Sequence, residues 1–135
     1  LQPTTPLVER VHIEDAILLA KKHDADSVVS VAEVNTINHQ YNIRAMGDDG
    51  AIGFWQHDLH YEYYASKPKP KFYHAANLWL TSHRTLINER RLEGKRNYPL
   101  VINPIYASDS DDKEDLEMIE AYLRLKNRQI GTQLV

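Results

Sequence analysis

Apolar residues recur along this chain at two spacings. Ile13, Ala16, Ile17 and Ala20 stand at i, i+3, i+4 and i+7, with Glu14, Asp15, Lys21 and Lys22 on the other faces. That period predicts an amphipathic helix. Asp24-Ala25-Asp26 ends it, and Ser27-Val28-Val29-Ser30-Val31 follows as a β-branched run of strand length. The run is almost continuously apolar, which suits a strand covered on both faces. From Tyr41 the pattern switches to alternation: Tyr41, Ile43 and Ala45 interleave with polar residues, Gly47-Asp48-Asp49-Gly50 supplies a turn, and Ala51 to Trp55 returns. A hairpin is predicted there. The stretch from His57 to Lys71 is ambiguous between a short helix and an arm toward a partner. Phe72-Tyr73 and Leu78-Trp79-Leu80 read as a further strand. Thr81 or Ser82 is placed to cap a helix carrying Leu86, Ile87 and Leu92 that stops near Gly94. Pro99 to Ile102 is a short strand. The last helix shows a stripe of Leu116, Ile119 and Leu123, widened by Met118 and Tyr122, with Asp111 and Glu114 as a capping-box-like pair. Amphipathicity fades from about Asn127, where fraying is expected. Helix followed by buried strand is the signature of an α/β fold.

Composition narrows the function classes. At 135 residues the chain fits one domain with a single core. The net charge of −3 argues against a polyanion-binding protein, and the one concentrated basic run, Lys67, Lys69 and Lys71, is broken by prolines and reads as an exposed loop. No nucleic-acid partner is expected. Cysteine is absent, which removes disulfides, thiolate chemistry and Cys-based zinc sites and is compatible with a reducing cytoplasm. No apolar run approaches the roughly 20 residues needed to cross a bilayer, so no membrane association is expected. The chain opens on Leu1-Gln2, which reads like the end of a buried strand, so a fragment of a longer protein is expected.

Candidate chemistry lies in two polar loops about a hundred residues apart, Leu1-Gln2-Pro3-Thr4-Thr5-Pro6-Leu7 and Asp109-Ser110-Asp111. In an α/β fold such loops can meet at one edge of the sheet, where ligands bind. Asp109 and Asp111, one residue apart, can direct their oxygens to a common cation, and Mg2+ takes hard oxygen ligands at roughly 2.0–2.1 Å with waters and phosphates completing its shell. The plainer alternative is that Asp111 is an N-cap and Asp109 a solvated turn residue. Gln2 carries an amide able to donate to and accept from a sugar, or to serve a turn. Thr4 and Thr5 hydroxyls beside proline can bond the local backbone instead. His57 and His60 share an i, i+3 spacing, but a third ligand is not evident. Serine-hydrolase and P-loop motifs are absent.

The Leu-Gln-Pro-Thr-Thr-Pro-Leu run, then Asp24-Ala25-Asp26-Ser27-Val28-Val29-Ser30-Val31, then Asp109-Ser110-Asp111 before an acidic helix start, resemble in sequence and order the acylneuraminate cytidylyltransferase (CMP-sialic acid synthetase-like) family. The resemblance is strong over 1–7, 24–34 and 105–123 and loose from 35 to 98. It implies a three-layer, Rossmann-like nucleotidyltransferase α/β fold with a hairpin insertion used for dimerisation. Residues 1–135 would form the C-terminal portion as a single domain fragment, without the N-terminal half that holds the CTP phosphates and base. It also implies an enzyme transferring CMP from CTP to a sialic-acid-like sugar with release of pyrophosphate, Mg2+ on Asp109 and Asp111 as the catalytic pair, and Gln2 against the sugar; Thr4 is a weaker candidate for substrate binding beside it. A cytoplasmic homodimer is expected, pairing through about 56–98 with Trp55, Tyr61, Tyr63 and Tyr64 as contact area. The chain departs from the family where a sugar-gripping Arg-x-Asn-Gly run is usual: Tyr73 stands at the arginine position and Ala75 and Ala76 at the asparagine and glycine positions. His74 and Asn77 are the substitute polar contacts. Tyrosine does not reproduce the planar bidentate match of arginine to a carboxylate, which opens the identity of the sugar. With the nucleotide half missing, the isolated chain is expected to be inactive. Two alternatives stay open: a non-catalytic binding or assembly module of the same fold, and a nucleotidyltransferase for a different sugar.

Overall fold

The computed structural model describes residues 1–64 and 68–132, without side chains from 127 onward. It divides the chain into two compact units, Leu1–Ala32 with Ala75–Val135, and Glu33–His74.

The first unit is a mixed α/β body. Helix α1 (Arg10–His23) leads into strand β1 (Ser27–Glu33), which sits at the centre of a three-stranded sheet between β4 (Tyr73–Thr81) and β5 (Asn97–Val101). Strands β1 and β5 are parallel, in register from Ser27 opposite Asn97 to Val31 opposite Val101. Strand β4 is antiparallel to β1: Ser82 N–H donates to Asp26 O at one end, while Ser30 meets Asn77 and Leu78 further along. The first six residues of β1 are buried, as its unbroken apolar run requires. Ala16 of α1 packs on Val28 and Leu78, with Leu19, Ala20, Leu80, Tyr98 and Leu100 around them. Small residues on the inner face of α1 let it approach the sheet closely, and the bulkier Ile13 and Ile17 of the expected stripe sit at its margin, partly exposed.

Asp24 ends α1 in a left-handed conformation, φ 47°, a geometry that Asp tolerates because its short side chain can bond locally. Asp26, beside it, ties three elements together. Its carboxylate accepts from Arg96 N–H at 3.1 Å and from the Arg84 guanidinium at 3.4 Å. The acidic pair that reads as a helix stop is therefore also a clamp on the sheet end.

The segment after β4 differs from expectation. In place of a helix carrying Leu86, Ile87 and Leu92 there is a five-residue π-type turn, Arg84–Asn88, and those three side chains are exposed. Ser82 does supply a cap, its Oγ accepting from Thr85 N–H at 3.2 Å. The turn closes at once because Arg91 N–H returns to Thr85 O and Arg90 is left-handed at φ 52°. A 3-10 turn, Pro104–Ala107, then precedes helix α3 (Lys113–Thr132), whose backbone continues past Asn127. Side chains in that last stretch, where fraying was expected, lie outside the described residues. Ile119 is the buried anchor of α3, while Leu116, Met118 and Leu123 are exposed. Its cap is one residue later than expected: Asp112 Oδ1 accepts from Asp115 N–H at 2.9 Å, and Asp115 Oδ2 accepts from Asp111 N–H at 3.1 Å.

The second unit holds the hairpin β2 (Arg44–Met46) and β3 (Ile52–Phe54), antiparallel with Ala45 opposite Gly53, followed by helix α2 (His57–Tyr64). Gly50 takes φ 80° in the turn, a conformation that glycine adopts without steric cost. The ambiguous stretch after Trp55 is thus helical as far as Tyr64; Lys67 of the basic run lies outside the described residues. Among those described, no helix is long and apolar enough to cross a membrane.

Candidate functional site

The two polar loops meet in the first unit. Ser110 N–H donates to Thr4 O at 2.8 Å, so the residue between Asp109 and Asp111 is pinned to the opening loop. That loop is itself a closed turn: both N–H and Oγ1 of buried Thr5 donate to Gln2 O, at 3.3 and 3.1 Å, and Leu7 is buried behind it. Gln2 and Thr4 remain exposed beside it. The burial of Thr5 and Leu7 anchors the loop while the polar residues stay available.

Asp109 and Asp111 are both exposed. Asp109 Oδ1 accepts from Ser110 N–H at 3.1 Å, a local turn bond. Asp112 and Asp115 are taken up by the helix cap, which leaves the Asp111 carboxylate out of the capping box assigned to it from sequence. Among the described residues no group of three or more His, Cys, Asp or Glu side chains could hold a metal. Two exposed carboxylates with space for water suit Mg2+, which commonly uses one or two protein carboxylates and takes its remaining oxygens from phosphate and solvent. They do not suit zinc, which needs three or four protein donors.

The 3-10 turn that leads into the aspartate loop rests on a polar cluster. Tyr106 meets His12 edge to face at 4.7 Å and Tyr122 at 6.0 Å between ring centroids. Its hydroxyl is held above its ordinary pKa chiefly by a side-chain hydrogen bond with Tyr122. Lys126 of α3 pairs with Glu9 and lies 5.7 Å from the Tyr106 ring. Glu9 caps α1 reciprocally: its side chain accepts from His12 N–H, and His12 Nδ1 accepts from Glu9 N–H at 3.2 Å. Burial holds the His12 pKa below its ordinary value, with Asp15 opposing.

Asn77 and His74 are placed differently. Asn77 is 0% exposed, its amide bonded to Ser30 and to Tyr106 O, so it reaches the site through the Tyr106 turn and not through solvent. His74, in the second unit, is exposed. Sequence reasoning passed over Ser30, Tyr106 and the Glu9–His12 box. One signal existed: Ser30 and Asn77 are the polar interruptions of two apolar strands, and buried polar groups in strands are normally paired.

The second unit has a cleft of about 600 Å³ lined by Ile37, Arg44, Phe54, His60, Tyr61 and Tyr64. Phe54 stacks on His60 at 3.4 Å, and the Arg44 guanidinium lies 4.1 Å from the Phe54 centroid. His60 Nδ1 bonds Tyr41 O at 2.7 Å and His57 Nδ1 bonds Asp58 at 3.0 Å, so each member of the i, i+3 pair has a partner in the fold. Trp55 and Tyr64 are 68% and 71% exposed.

No family model matches the chain. Over 124 residues it is 27% identical to the N-acylneuraminate cytidylyltransferase of Streptococcus agalactiae serotype V, an alignment covering 91% of this chain and 29% of that protein. The proteins of the same name from serotypes III and Ia match with the same identity and coverage. The chain therefore spans less than a third of the length of these curated relatives, while 91% of its own length is similar to N-acylneuraminate cytidylyltransferases.

Proposed function

We propose that this chain is the sugar- and metal-binding part of a Rossmann-like cytidylyltransferase that joins CMP to an acylneuraminate-like sugar. The observation that supports the reading is the backbone hydrogen bond from Ser110 to Thr4, which joins the loop that carries Gln2 and Thr4 to the loop that carries Asp109 and Asp111. In this reaction the anomeric hydroxyl of the sugar attacks the α-phosphorus of CTP and pyrophosphate leaves. Asp109 and Asp111 hold Mg2+, which when bound offsets the charge on the phosphate oxygens. Gln2 and Thr4 orient the sugar by hydrogen bonds from an anchored loop. Positioning supplies much of such a rate, and it requires both reactants together. The CTP-binding residues are contributed from outside these 135 residues, and the chain alone turns over CTP only at background. Two copies pair through the exposed aromatics of the second unit, Trp55, Tyr61 and Tyr64. The enzyme works in the cytoplasm, where CTP is available.

The test is turnover of CTP with a panel of nonulosonic acids by the full-length protein. Wild type releases pyrophosphate in a Mg2+-dependent reaction, and Asp111→Ala lowers the rate by at least about 100-fold, beyond the usual cost of losing a residue that only supports a metal ligand. Full activity in Asp111→Ala would refute the metal assignment. Absence of turnover with every acid, with CTP still bound, would favour a different sugar as substrate.

A further inference from the structure

We propose that Asn77 is a positioning residue for the aspartate loop, acting through the carbonyl of Tyr106. This rests on the metal reading of Asp109 and Asp111 for its functional meaning, though not for its geometry.

Donor and acceptor counting fixes the orientation of the Asn77 amide. Ser30 Oγ accepts from Asn77 N–H at 3.0 Å and from Leu78 N–H at 2.9 Å, which uses both of its lone pairs. Its one proton must then go to the Asn77 side chain, at 3.0 Å, or to Leu78 O at the longer 3.4 Å. Of the two ends of the Asn77 amide only the oxygen can accept, so with the oxygen on Ser30 the NH2 group faces the other way. There it donates to Tyr106 O at 2.8 Å, a carbonyl that can only accept. The amide orientation follows from chemistry alone. The central strand thus sets β4, β4 sets Asn77, and Asn77 fixes the Pro104–Ala107 turn.

From that turn the chain runs to the site in a few residues. Ser108 donates from Oγ to Ile105 O at 2.7 Å, and Ser110 then bonds Thr4 O. Asp109 and Asp111 are exposed, and among the described residues no hydrogen bond or ion pair of their side chains outside their loop fixes where their carboxylates lie. Two anchors hold the loop, Thr4 at its tip and Asn77 at its base. A buried side chain with every polar atom satisfied is a stiff support, and losing its donor leaves a buried carbonyl unpaired.

The experiment measures amide exchange at Ser110 by NMR and Mn2+ affinity by water proton relaxation, in wild type, Asn77→Ala and a control, Val28→Ala. Val28 is fully buried in the core cluster, where it packs on Leu78, but its apolar side chain makes no hydrogen bond in the network, so it reports general loss of packing and stability. Exchange at Ser110 speeds at least about tenfold in Asn77→Ala and stays unchanged in Val28→Ala, and Mn2+ binding weakens about tenfold in the former only, the scale of a lost support behind a metal ligand. Should Asn77→Ala fail to fold, Asn77→Ser carries the same test, since its hydroxyl is too short to replace the amide at Tyr106. Unchanged Ser110 exchange in the folded Asn77 variant, or equal acceleration in Val28→Ala, overturns the proposal. Absence of Mn2+ binding in wild type with selective Ser110 acceleration refutes the metal reading and leaves the positioning role standing.

Discussion

The two units of this chain are stabilised by different means. In the first, a central strand is buried along six consecutive residues, and polar side chains reach from the sheet to the loops: Asp26 to Arg84 and Arg96, Ser30 to Asn77, and Asn77 to Tyr106. In the second, two three-residue strands cannot make a core. Ring contacts carry the load instead, with Phe54 stacked on His60 and His39 packed against Tyr41 and Phe72. Histidine nitrogens complete it by bonding Tyr41 O and Pro70 O. Around Gly94 the first unit leaves no room for added volume. The second is open, with Ile37, Met46, Ile52 and Trp55 exposed. A surface of that kind is what a partner chain covers.

Adding one methyl group to each unit tests the contrast most sharply. A Cβ on Gly94 would lie 2.4 Å from Asp26 Cβ and 3.1 Å from Thr85 Oγ1, and the Gly94 N–H donates to Ser27 Oγ at 2.9 Å, so the backbone cannot retreat without breaking that bond. Gly94→Ala is expected to cost about 3 kcal/mol in urea unfolding, the upper range for overpacking a tight site. Gly53, on β3, has no neighbouring atom within 4 Å of where a methyl group would stand. Gly53→Ala is expected to change stability by less than about 0.5 kcal/mol, as for surface substitutions. Equal losses would show that the first unit is not the tighter one.

Removing a ring should open the second unit alone. His60 is buried, stacked on Phe54 and bonded to Tyr41 O, so His60→Ala forfeits packing and leaves a buried carbonyl without its donor. A loss of about 2 kcal/mol is expected, between one hydrogen bond and a large core truncation. Amide exchange in α2 and the hairpin should rise while β1 stays protected. Parallel loosening of β1 would mean that the two units unfold as one.

The sequence made the larger elements legible and hid the connections between them. Ala16 and Ala20 at helical spacing, the Val28 to Val31 run and the Gly47 to Gly50 turn are local signals, and each produced the element that it predicts. Leu86, Ile87 and Leu92 have helical spacing too, but a tertiary constraint overrode it: the chain must turn at Arg90 to bring Gly94 against Asp26. The cap of α3 was ambiguous because Asp109 to Asp115 offers several acidic residues at capping distance, and a one-residue shift changes which is free. Of the candidate site, proximity of the two loops could be expected from α/β topology, but the Ser30–Asn77 pair, 47 residues apart, has no local signature. It becomes visible only when both strands are paired in register.

That shift of cap yields a smaller test, confined to the first unit. Asp112 accepts the Asp115 N–H, so Asp112→Ala should destabilise by about 1 kcal/mol, the usual cost of losing an N-cap. Asp111 makes no cap bond through its side chain, and Asp111→Ala should leave the unfolding midpoint within about 0.5 kcal/mol of wild type. Thermal or urea unfolding separates the two readings of this carboxylate. A loss in Asp111→Ala matching that in Asp112→Ala would return Asp111 to a capping role.

The smallest effect is a pH dependence that also divides the units. His12 stands where a capping box usually has Glu or Gln, and its Nδ1 must be unprotonated to accept the Glu9 N–H. Burial lowers its pKa in the folded state, so between that value and the ordinary 6.5 the unfolded chain binds more protons than the folded one. Stability from this group is complete above pH 6.5 and falls as the pH drops below it. The groups around His12 pull in different directions: Asp15 raises its pKa, Glu9 and Lys126 pair with each other nearby, and Tyr106 offers a ring edge or face without charge. The net loss should be less than about 1 kcal/mol, the scale of one cap. His12→Gln restores a non-titrating acceptor and should flatten the dependence of first-unit stability on pH between 5 and 7, read as exchange at α1 amides. A slope that survives His12→Gln unchanged would show that His12 is not its source.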